Sequence, residues 1–271
     1  MLDCYSLISR AWRGPAQRKI WAKLVVRTGR KAAQLARDLP GSGLAAFVLD
    51  LSVLGGHNIM FVDMELDVRE EHLVGVLACV PGVLDLELEL AGPSMTDLSD
   101  GSVRVLREAG ALGCLGNLDL SIPSRALPFA RSLLALSPAL CTLSLQSDSY
   151  PNLPSPLPPT FSVTLPHLHT LTLYDGNLSA DLPSLGLVAP STFAQVTTLD
   201  WLVETPVSSP SALVALVGPT LLKLIYYTRP SPAPSWRTSQ SSATATMAPL
   251  TFPIFRHQSR SSASAISILR G

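Results

Sequence analysis

One short pattern, L-x-x-L-x-L with apolar substitutes, recurs along the chain and constrains its fold more than any other feature. A chain of 271 residues with 48 leucines produces single L-x-L matches by chance, but it does not produce six spaced copies that way. Clear copies begin at Val83, Leu115, Leu140, Leu168, Val196 and Leu221, and a weaker one begins at Ala46. From the second clear copy onward, successive copies begin 25 to 28 residues apart.

Each copy predicts one β-strand that cannot be stable alone. The two closely spaced leucines lie on one side of the strand, because side chains alternate along it. Stacking the strands in a parallel sheet buries that side, and a period of about 20–29 residues is typical of leucine-rich repeats. The pattern therefore predicts an α/β fold: an irregular leucine-rich-repeat solenoid over residues 41–228, with parallel strands separated by helices or loops.

The segments between the copies predict irregular connectors. Apolar residues at helical spacing predict helices over residues 69–80, 96–109, 126–136 and 211–217. Residues 150–166 contain six prolines, which remove backbone donors, and this segment is predicted to be a loop. The asparagine that often follows the strand in regular repeats is replaced by Pro123, Asp148 and Gly176 in successive copies. The turns after these strands must therefore be closed by other groups.

The head of the chain, residues 1–40, is predicted to be a short helical segment. Ser9-Arg10-Ala11-Trp12-Arg13, followed by Gln17-Arg18 and Trp21, resembles the second half of an F-box. Many fungal F-box proteins join such a segment directly to irregular leucine-rich repeats, and this chain has the same order. The resemblance implies a substrate receptor of a Skp–cullin–F-box ubiquitin ligase. It also implies that Leu7, Ile8 and Trp12 match apolar positions near the adaptor contact or in the core of the F-box itself.

The opening helices of an F-box, which begin with a Leu-Pro, have no counterpart in this sequence. In that family they supply much of the surface for the Skp-type adaptor. Two interpretations stay open. The chain is a truncated product that needs upstream residues to bind the adaptor, or it is a stand-alone leucine-rich-repeat scaffold whose head caps the solenoid.

Charge is segregated along the chain, although the net charge is zero. Residues 1–37 carry a net charge of +8, residues 38–120 carry −11, residues 121–228 carry −2 and residues 229–271 carry +5. Clustered Lys and Arg can neutralise phosphates, but no recognised nucleic-acid module surrounds those in the head, which favours a solvated helical face. The last segment is rich in Ser and Pro, and we expect it to be a disordered tail, because it cannot bury enough apolar surface to offset its chain entropy.

No motif predicts catalysis, a cofactor or a metal site. The sequence has no phosphate-binding glycine loop and no nucleophile elbow. His167 and His169 share one side of a strand without a third ligand nearby, which favours solvated residues. We therefore expect a protein that is not an enzyme and needs no cofactor.

Cysteine usage and hydropathy predict the compartment. Cys4, Cys79, Cys114 and Cys141 lie far apart in leucine-rich stretches, a pattern typical of buried free thiols in reducing surroundings. No window is apolar enough for a transmembrane helix, and the first residues do not form a secretory signal. These features predict an intracellular protein, cytoplasmic or nuclear, that does not bind a membrane.

The residues between the strand leucines are the predicted partner-binding surface. Leu84, Leu86, Leu88 and Leu90 are expected to point inward, so the acids between them point outward, where ordinary solvation also explains them. Such residues line the concave face on which solenoids usually bind, and an acidic end attracts basic proteins and repels nucleic acid. Tyr174 and Tyr227 are the expected anchors, because aromatic residues dominate interface energetics. The candidate residues for binding a protein of unknown identity are Glu87, Glu89, Asp119, Ser144, Gln146, Thr172, Tyr174, Asp200 and Tyr227.

Overall fold

The computed structural model describes residues 10–55, 68–90, 96–123, 126–148, 163–174, 187–203, 217–228 and 265–269. These residues form an α/β structure, as the sequence predicts. The strands are β1 (Lys23–Val26), β2 (Asp50–Gly55), β3 (Asp85–Leu90), β4 (Asn117–Pro123), β5 (Thr142–Asp148), β6 (Thr170–Tyr174), β7 (Thr198–Val203), β8 (Lys223–Thr228) and β9 (Ala265–Leu269). The helices are α1 (Arg10–Trp21), α2 (Gly29–Asp38), α3 (Glu70–Cys79), α4 (Asp100–Glu108), α5 (Leu127–Ala135) and α6 (Pro190–Phe193).

All nine strands form one sheet in which each strand lies next to its neighbours in the chain. Strands β1 to β8 are parallel, and β9 pairs with β8 in the antiparallel direction. The chain must therefore cross back to the same end of the sheet before each new parallel strand. The helices between β1 and β6 lie within these return segments.

The register of the sheet aligns the copies of the sequence pattern with one another. The central leucines of the six clear copies are successive Cα partners, and so are the apolar residues two positions later. The first row is Leu86, Leu118, Leu143, Leu171, Leu199 and Leu224. The first five of these leucines are at most 2% exposed. The sheet thus stacks the copies in the order in which they occur in the sequence.

The first copy of the pattern has a different register from the predicted one. Leu51 pairs with Leu86 and is fully buried, whereas Leu49, predicted to be the central leucine, is 44% exposed. The correct copy is therefore Val48-x-x-Leu51-x-Val53, two residues later than predicted. The true copy was overlooked because Val replaces Leu at two of its three positions.

The sheet also begins earlier than predicted. Residues 1–40 were expected to form a helical segment, but β1 lies inside them and pairs in parallel with β2, with Leu24 opposite Leu51. Helix α1 packs against β1 and against the short turn Ala45–Phe47. The head therefore contributes a strand to the sheet as well as two helices.

A repeated backbone contact joins the start of each strand from β1 to β7 to the start of the next strand. The Leu84 carbonyl accepts hydrogen bonds of 2.9 Å from the amides of both Gly116 and Asn117. Seven residues at this position, each just before a strand, accept two amides in this way: Ala22, Leu49, Leu84, Gly116, Cys141, His169 and Thr197. Because the chain turns here, Leu84 is 43% exposed and does not point inward with Leu86 as predicted.

The core lies on the leucine side of the sheet, where the helices pack. Buried residues of α2, α3, α4 and α5 join those of the strands in one apolar cluster. Helix α2 packs against α3, and α3 packs against α4. Between the first pair, a Cβ added at Gly75 would meet the Ala36 Cβ at 3.0 Å, so the helices approach closely. The opposite side of the sheet is left to the residues between the leucines.

Three of the predicted helices form close to their expected bounds, and in α4 both ends are well specified. In α4, the Ser99 hydroxyl caps the first turn by accepting a bond of 3.3 Å from the Ser102 amide. Gly110 follows the helix with φ of +64°, a conformation that glycine adopts without strain. Residues 211–216 of the fourth predicted helix and residues 150–162 of the predicted loop lie outside the described residues.

Five residues of the predicted disordered tail form a strand. Ala265–Leu269 pairs with β8, with Ile268 opposite Leu224. The alternation of isoleucine with small residues in this segment suits a strand. The remainder of residues 229–271 lies outside the described residues.

Candidate protein-binding surface

The sheet presents a second side on which the residues between the leucines lie. We call this side the open face. It contains Glu87, Asp119, Ser144, Thr172 and Asp200 as successive Cα partners, one strand after another. A parallel row contains Glu89, Ser121, Gln146 and Tyr174, and continues to Tyr227 through Leu202. All nine predicted binding residues therefore belong to two adjacent rows.

Burial differs sharply between the open face and the core. Glu87, Asp119 and Gln146 are exposed, whereas Leu86 and Leu88 are at most 2% exposed. Ser144, Thr172, Tyr174 and Asp200 are half-buried. The side chains of Leu202 and Tyr227 lie outside the described residues.

Five carboxylates cluster on three neighbouring strands of the open face. We call Asp50, Asp85, Glu87, Glu89 and Asp119 the acidic cluster. Since adjacent strands are about 4.8 Å apart, the cluster spans about 10 Å from β2 to β4. An open depression of about 290 Å³ lies among four of these residues, all except Glu89, and its lining also includes Asn117, Thr142 and Ser144.

Hydrogen bonds between strands hold part of the acidic cluster in place. The buried Ser52 hydroxyl donates a bond of 2.7 Å to Glu87 Oε2 on the next strand. The Asn117 amide donates to Asp85 Oδ1 in the same manner. Glu87 and Asp85 thus each accept one bond from a neighbouring strand, and each keeps further acceptor capacity for a partner.

Lys23 is the cation that reaches the acidic cluster from the described part of the head. Its Nζ lies 2.9 Å from Asp50 Oδ2, and the hydrogen bond and charge of that carboxylate raise the pKa of Lys23. Both groups are solvated, so this pair contributes little to stability. Asp85, Glu87 and Asp119 form no ion pair with another residue in the described part of the chain, so this part of the open face is negatively charged.

The surroundings of Asp119 make its ionisation less favourable than in water. Loss of hydration raises the pKa of Asp119, and repulsion from Glu87 raises it further. The neighbouring Ser144 hydroxyl partly offsets this rise, although it lies outside hydrogen-bond geometry. Burial also raises the pKa of Asp200, and Lys223 opposes that shift. A cation placed over Asp119 would relieve the repulsion.

Sequence reasoning missed the part of this surface on the first two strands. Lys23, Asp50 and Ser52 were not predicted to belong to it, because β1 was not predicted and the first copy was placed two residues early. The alternation Leu24-x-Val26 and Leu51-x-Val53 is the signal that identifies both strands.

The residues expected to contact an adaptor lie largely beyond the described part of the chain. Leu7 and Ile8 precede it, and Trp12 is described only by its place in the first turn of α1. Trp21, at the other end of α1, is half-buried and packs against the core. Helix α1 is therefore anchored to the sheet by its C-terminal end.

The cysteines and histidines do not form a site in the described residues. Cys114 is exposed, and Cys79 and Cys141 are half-buried, so the prediction of buried thiols fails most clearly at Cys114, which lies in a turn. Burial raises the pKa of Cys79, whose thiol donates to the Ala36 carbonyl. His167 and His169 are exposed, as predicted. Within the described ranges, no three His, Cys, Asp or Glu residues converge in a way that could hold a metal ion.

Neither a protein-family model nor a curated protein matches the sequence. Among the described helices, none has both the length and the apolar character needed to span a bilayer. The physical features of the open face are therefore the basis for assigning a function.

Proposed function

We propose that the chain is a non-catalytic protein-interaction module of the leucine-rich-repeat type, which binds a basic polypeptide segment on the open face. The acidic cluster is the observation that carries this proposal. Its carboxylates lie on adjacent strands and project away from the core, and Asp85, Glu87 and Asp119 form no ion pair with another described residue.

The leucine-rich-repeat assignment is part of the proposal. Eight parallel strands in chain order, with helices α2 to α5 packed on the leucine side, support it. So does the alignment of the repeated pattern across six strands. Repeats of this kind bury one side of each strand and present the other as an extended binding surface.

Electrostatics favours a basic protein as the partner. Carboxylates on one rigid sheet speed the encounter with a cationic segment and disfavour polyanions such as nucleic acid. Lys or Arg side chains from a partner would offset the repulsion between Asp119 and Glu87. Half-buried Tyr174 lies two strands beyond β4, and it offers an apolar contact for the neighbouring part of the same partner.

A peptide titration tests this proposal. A fluorescent peptide rich in Lys and Arg should bind the full chain, and its affinity should fall steeply as salt rises, since exposed charges are screened. A peptide of equal length rich in Asp and Glu should not bind. Equal binding of the two peptides, or affinity that does not change with salt, would contradict the proposal.

A second candidate function is that of a substrate receptor in a Skp–cullin–F-box ubiquitin ligase. The resemblance of residues 9–21 to half an F-box supports it, and so does the direct passage from α1 into the sheet. In this case Leu7, Ile8 and Trp12 would contact the adaptor. Co-elution of the full chain with a purified Skp-type adaptor, lost in Trp12→Ala, would support the receptor; absence of a complex leaves the stand-alone scaffold as the better description.

A further inference from the structure

The head of the chain carries a second charged surface, of opposite sign to the acidic cluster. Six exposed cations lie on α1, α2 and the connection before α2, and Asp38 is the one carboxylate within residues 10–38. We call these six residues the basic surface: Arg18, Lys19, Arg27, Arg30, Lys31 and Arg37.

The cations of the basic surface are not neutralised within the described residues. The two ion pairs there are Lys23–Asp50 and Arg69–Glu71, and neither includes a member of the basic surface. Arg18 instead lies over the Phe47 ring at 5.8 Å from its centroid, and Lys31 donates to the Gln34 side chain. The neighbouring cations of the basic surface repel one another, so this surface favours a negatively charged partner.

Helix α2 presents part of this surface outward. Its buried residues Ala32 and Leu35 join the core, which leaves Arg30 and Arg37 on its exposed side. Since they are seven residues apart, they lie about 10 Å from each other along the helix. An open depression of about 480 Å³ is lined by these two arginines together with Gln34 and Asp38.

We propose that the basic surface of one molecule binds the acidic cluster of a second copy of the same chain. Complementary charge supports this choice of partner, because residues 1–37 carry a net charge of +8 and residues 38–120 carry −11. The inference rests on the proposed function, since it names one source of the basic segment that the open face binds.

Geometry favours an intermolecular contact over an intramolecular one. The acidic cluster lies on the open face, whereas α2 packs on the leucine side with α3. Lys23, on the edge strand itself, is the one residue of the described head that reaches a carboxylate of the cluster. The contact is heterologous, because two different surfaces meet, and it therefore builds open chains of molecules when it does not close into a ring.

Sedimentation velocity of the full chain at two salt concentrations is the primary measurement. Association is expected at about 0.01 M salt, where the screening length is about 30 Å, and dissociation is expected near 1 M, where it is about 3 Å. Arg30→Glu/Arg37→Glu and Glu87→Lys/Asp119→Lys should each weaken association at low salt by at least about tenfold.

Mixing the two reversed variants gives the sharpest result. Each alone should sediment as a monomer. The mixture should associate again, because the intact acidic cluster of one variant meets the intact basic surface of the other, and the two reversed surfaces also carry opposite charges. Arg104→Glu/Arg107→Glu and Glu71→Lys/Glu108→Lys make the same charge changes at exposed positions outside the two surfaces, and they should associate like the wild type.

Three outcomes overturn the inference. They are a monomeric wild type at low salt, control variants that lose association as strongly as the test variants, and a mixture that stays monomeric.

If an added DNA oligonucleotide binds the basic surface of a monomeric wild type, the partner is a nucleic acid and not a second copy. Binding of the basic peptide to Arg30→Glu/Arg37→Glu separates the two proposals: if that peptide binds while the wild type does not self-associate, the inference alone fails.

Discussion

The Ser52 hydroxyl donates a hydrogen bond of 2.7 Å to the Glu87 carboxylate across strands β2 and β3. Ser52 is 2% exposed, so this bond fixes an exposed acid to a buried group. The two residues are Cα partners, which places their neighbours Leu51 and Leu86 together in the core. One contact thus defines both the register of the first repeat and one edge of the acidic cluster.

The register of that first repeat predicts unequal effects for two leucines. Leu51→Ala should lower the free energy of unfolding by about 2–5 kcal/mol, because Leu51 is fully buried and its loss leaves a cavity. Leu49→Ala, two residues earlier, should change it by less than about 0.5 kcal/mol, because Leu49 is 44% exposed. Urea denaturation measures both. A larger loss for Leu49→Ala would mean that the first copy begins at Ala46 after all.

The contact between α3 and α4 predicts a dependence of stability on pH. The Ser99 amide and hydroxyl each donate a bond of 2.8 Å to Glu70 Oε1. Loss of hydration alone would raise the pKa of Glu70, but hydrogen bonds from Ser102 and Ser99 outweigh it and lower that pKa. The stabilisation is therefore complete above the pKa of an unfolded Glu, about 4.3, and is lost as the pH falls through the lower folded pKa.

Removing this carboxylate tests the contact. Glu70→Gln should lower the free energy of unfolding at neutral pH by about 1 kcal/mol, and the difference from the wild type should shrink in acid. Glu71→Gln is the matched control, since Glu71 is exposed, and it should have little effect at any pH. Equal losses in the two variants would rule out the contact.

The opposite dependence of stability on pH is expected at Asp119. Its pKa is raised by lost hydration and by Glu87, so the folded chain holds the Asp119 proton more tightly than the unfolded chain. Stability from this group therefore falls as the pH rises from about 3.9, the pKa of an unfolded Asp, through the raised folded pKa. Asp119→Asn should stabilise the chain at neutral pH, by less than about 1 kcal/mol because the carboxylate is partly solvated.

Thermal denaturation at two pH values measures the effect of Asp119→Asn. The gain in melting temperature should be present at neutral pH and absent near pH 3, where the wild-type carboxyl is protonated. A variant that is less stable than the wild type at neutral pH would show that the carboxylate is stabilising.

The turn after α4 predicts a cost for replacing one glycine. Gly110 has a positive φ of 64°, which strains any residue with a Cβ. Gly110→Ala should lower the free energy of unfolding by about 1 kcal/mol. Gly82→Ala is the control, since Gly82 also lies in a turn with open space around it. Similar unfolding midpoints for the two variants in urea would contradict the backbone argument.

The sequence predicts the sheet well where the copies of the pattern contain leucine at the expected positions, and poorly where other residues replace it. From Val83 onward, leucines at fixed spacing specify the parallel strands and their register. At the start of the sheet, valines replace leucines at Val26, Val48 and Val53, and the shorter runs do not stand out from a chain rich in apolar residues. The prediction that Leu84 is buried fails for another reason: the chain turns there to supply its carbonyl to two amides.

The candidate site was predicted in part because alternation alone determines which strand residues leave the core. It correctly places Glu87 and Asp119 on the open face. It does not reveal the hydrogen bonds that hold Glu87, nor the pairing of Lys23 with Asp50, since both join residues that are distant in sequence. Binding by any of these residues stays a prediction.

The affinity of a basic peptide for neutralised variants tests the central claim most directly. Glu87→Gln/Asp119→Asn keeps the shape of both side chains and removes two charges from the acidic cluster. Glu71→Gln/Glu108→Gln removes two exposed charges elsewhere. In fluorescence anisotropy at low salt, the first pair should raise the dissociation constant of the peptide by at least about tenfold. The second pair should change it by less than about twofold. Equal affinity of all three proteins for the peptide would show that the acidic cluster does not bind it.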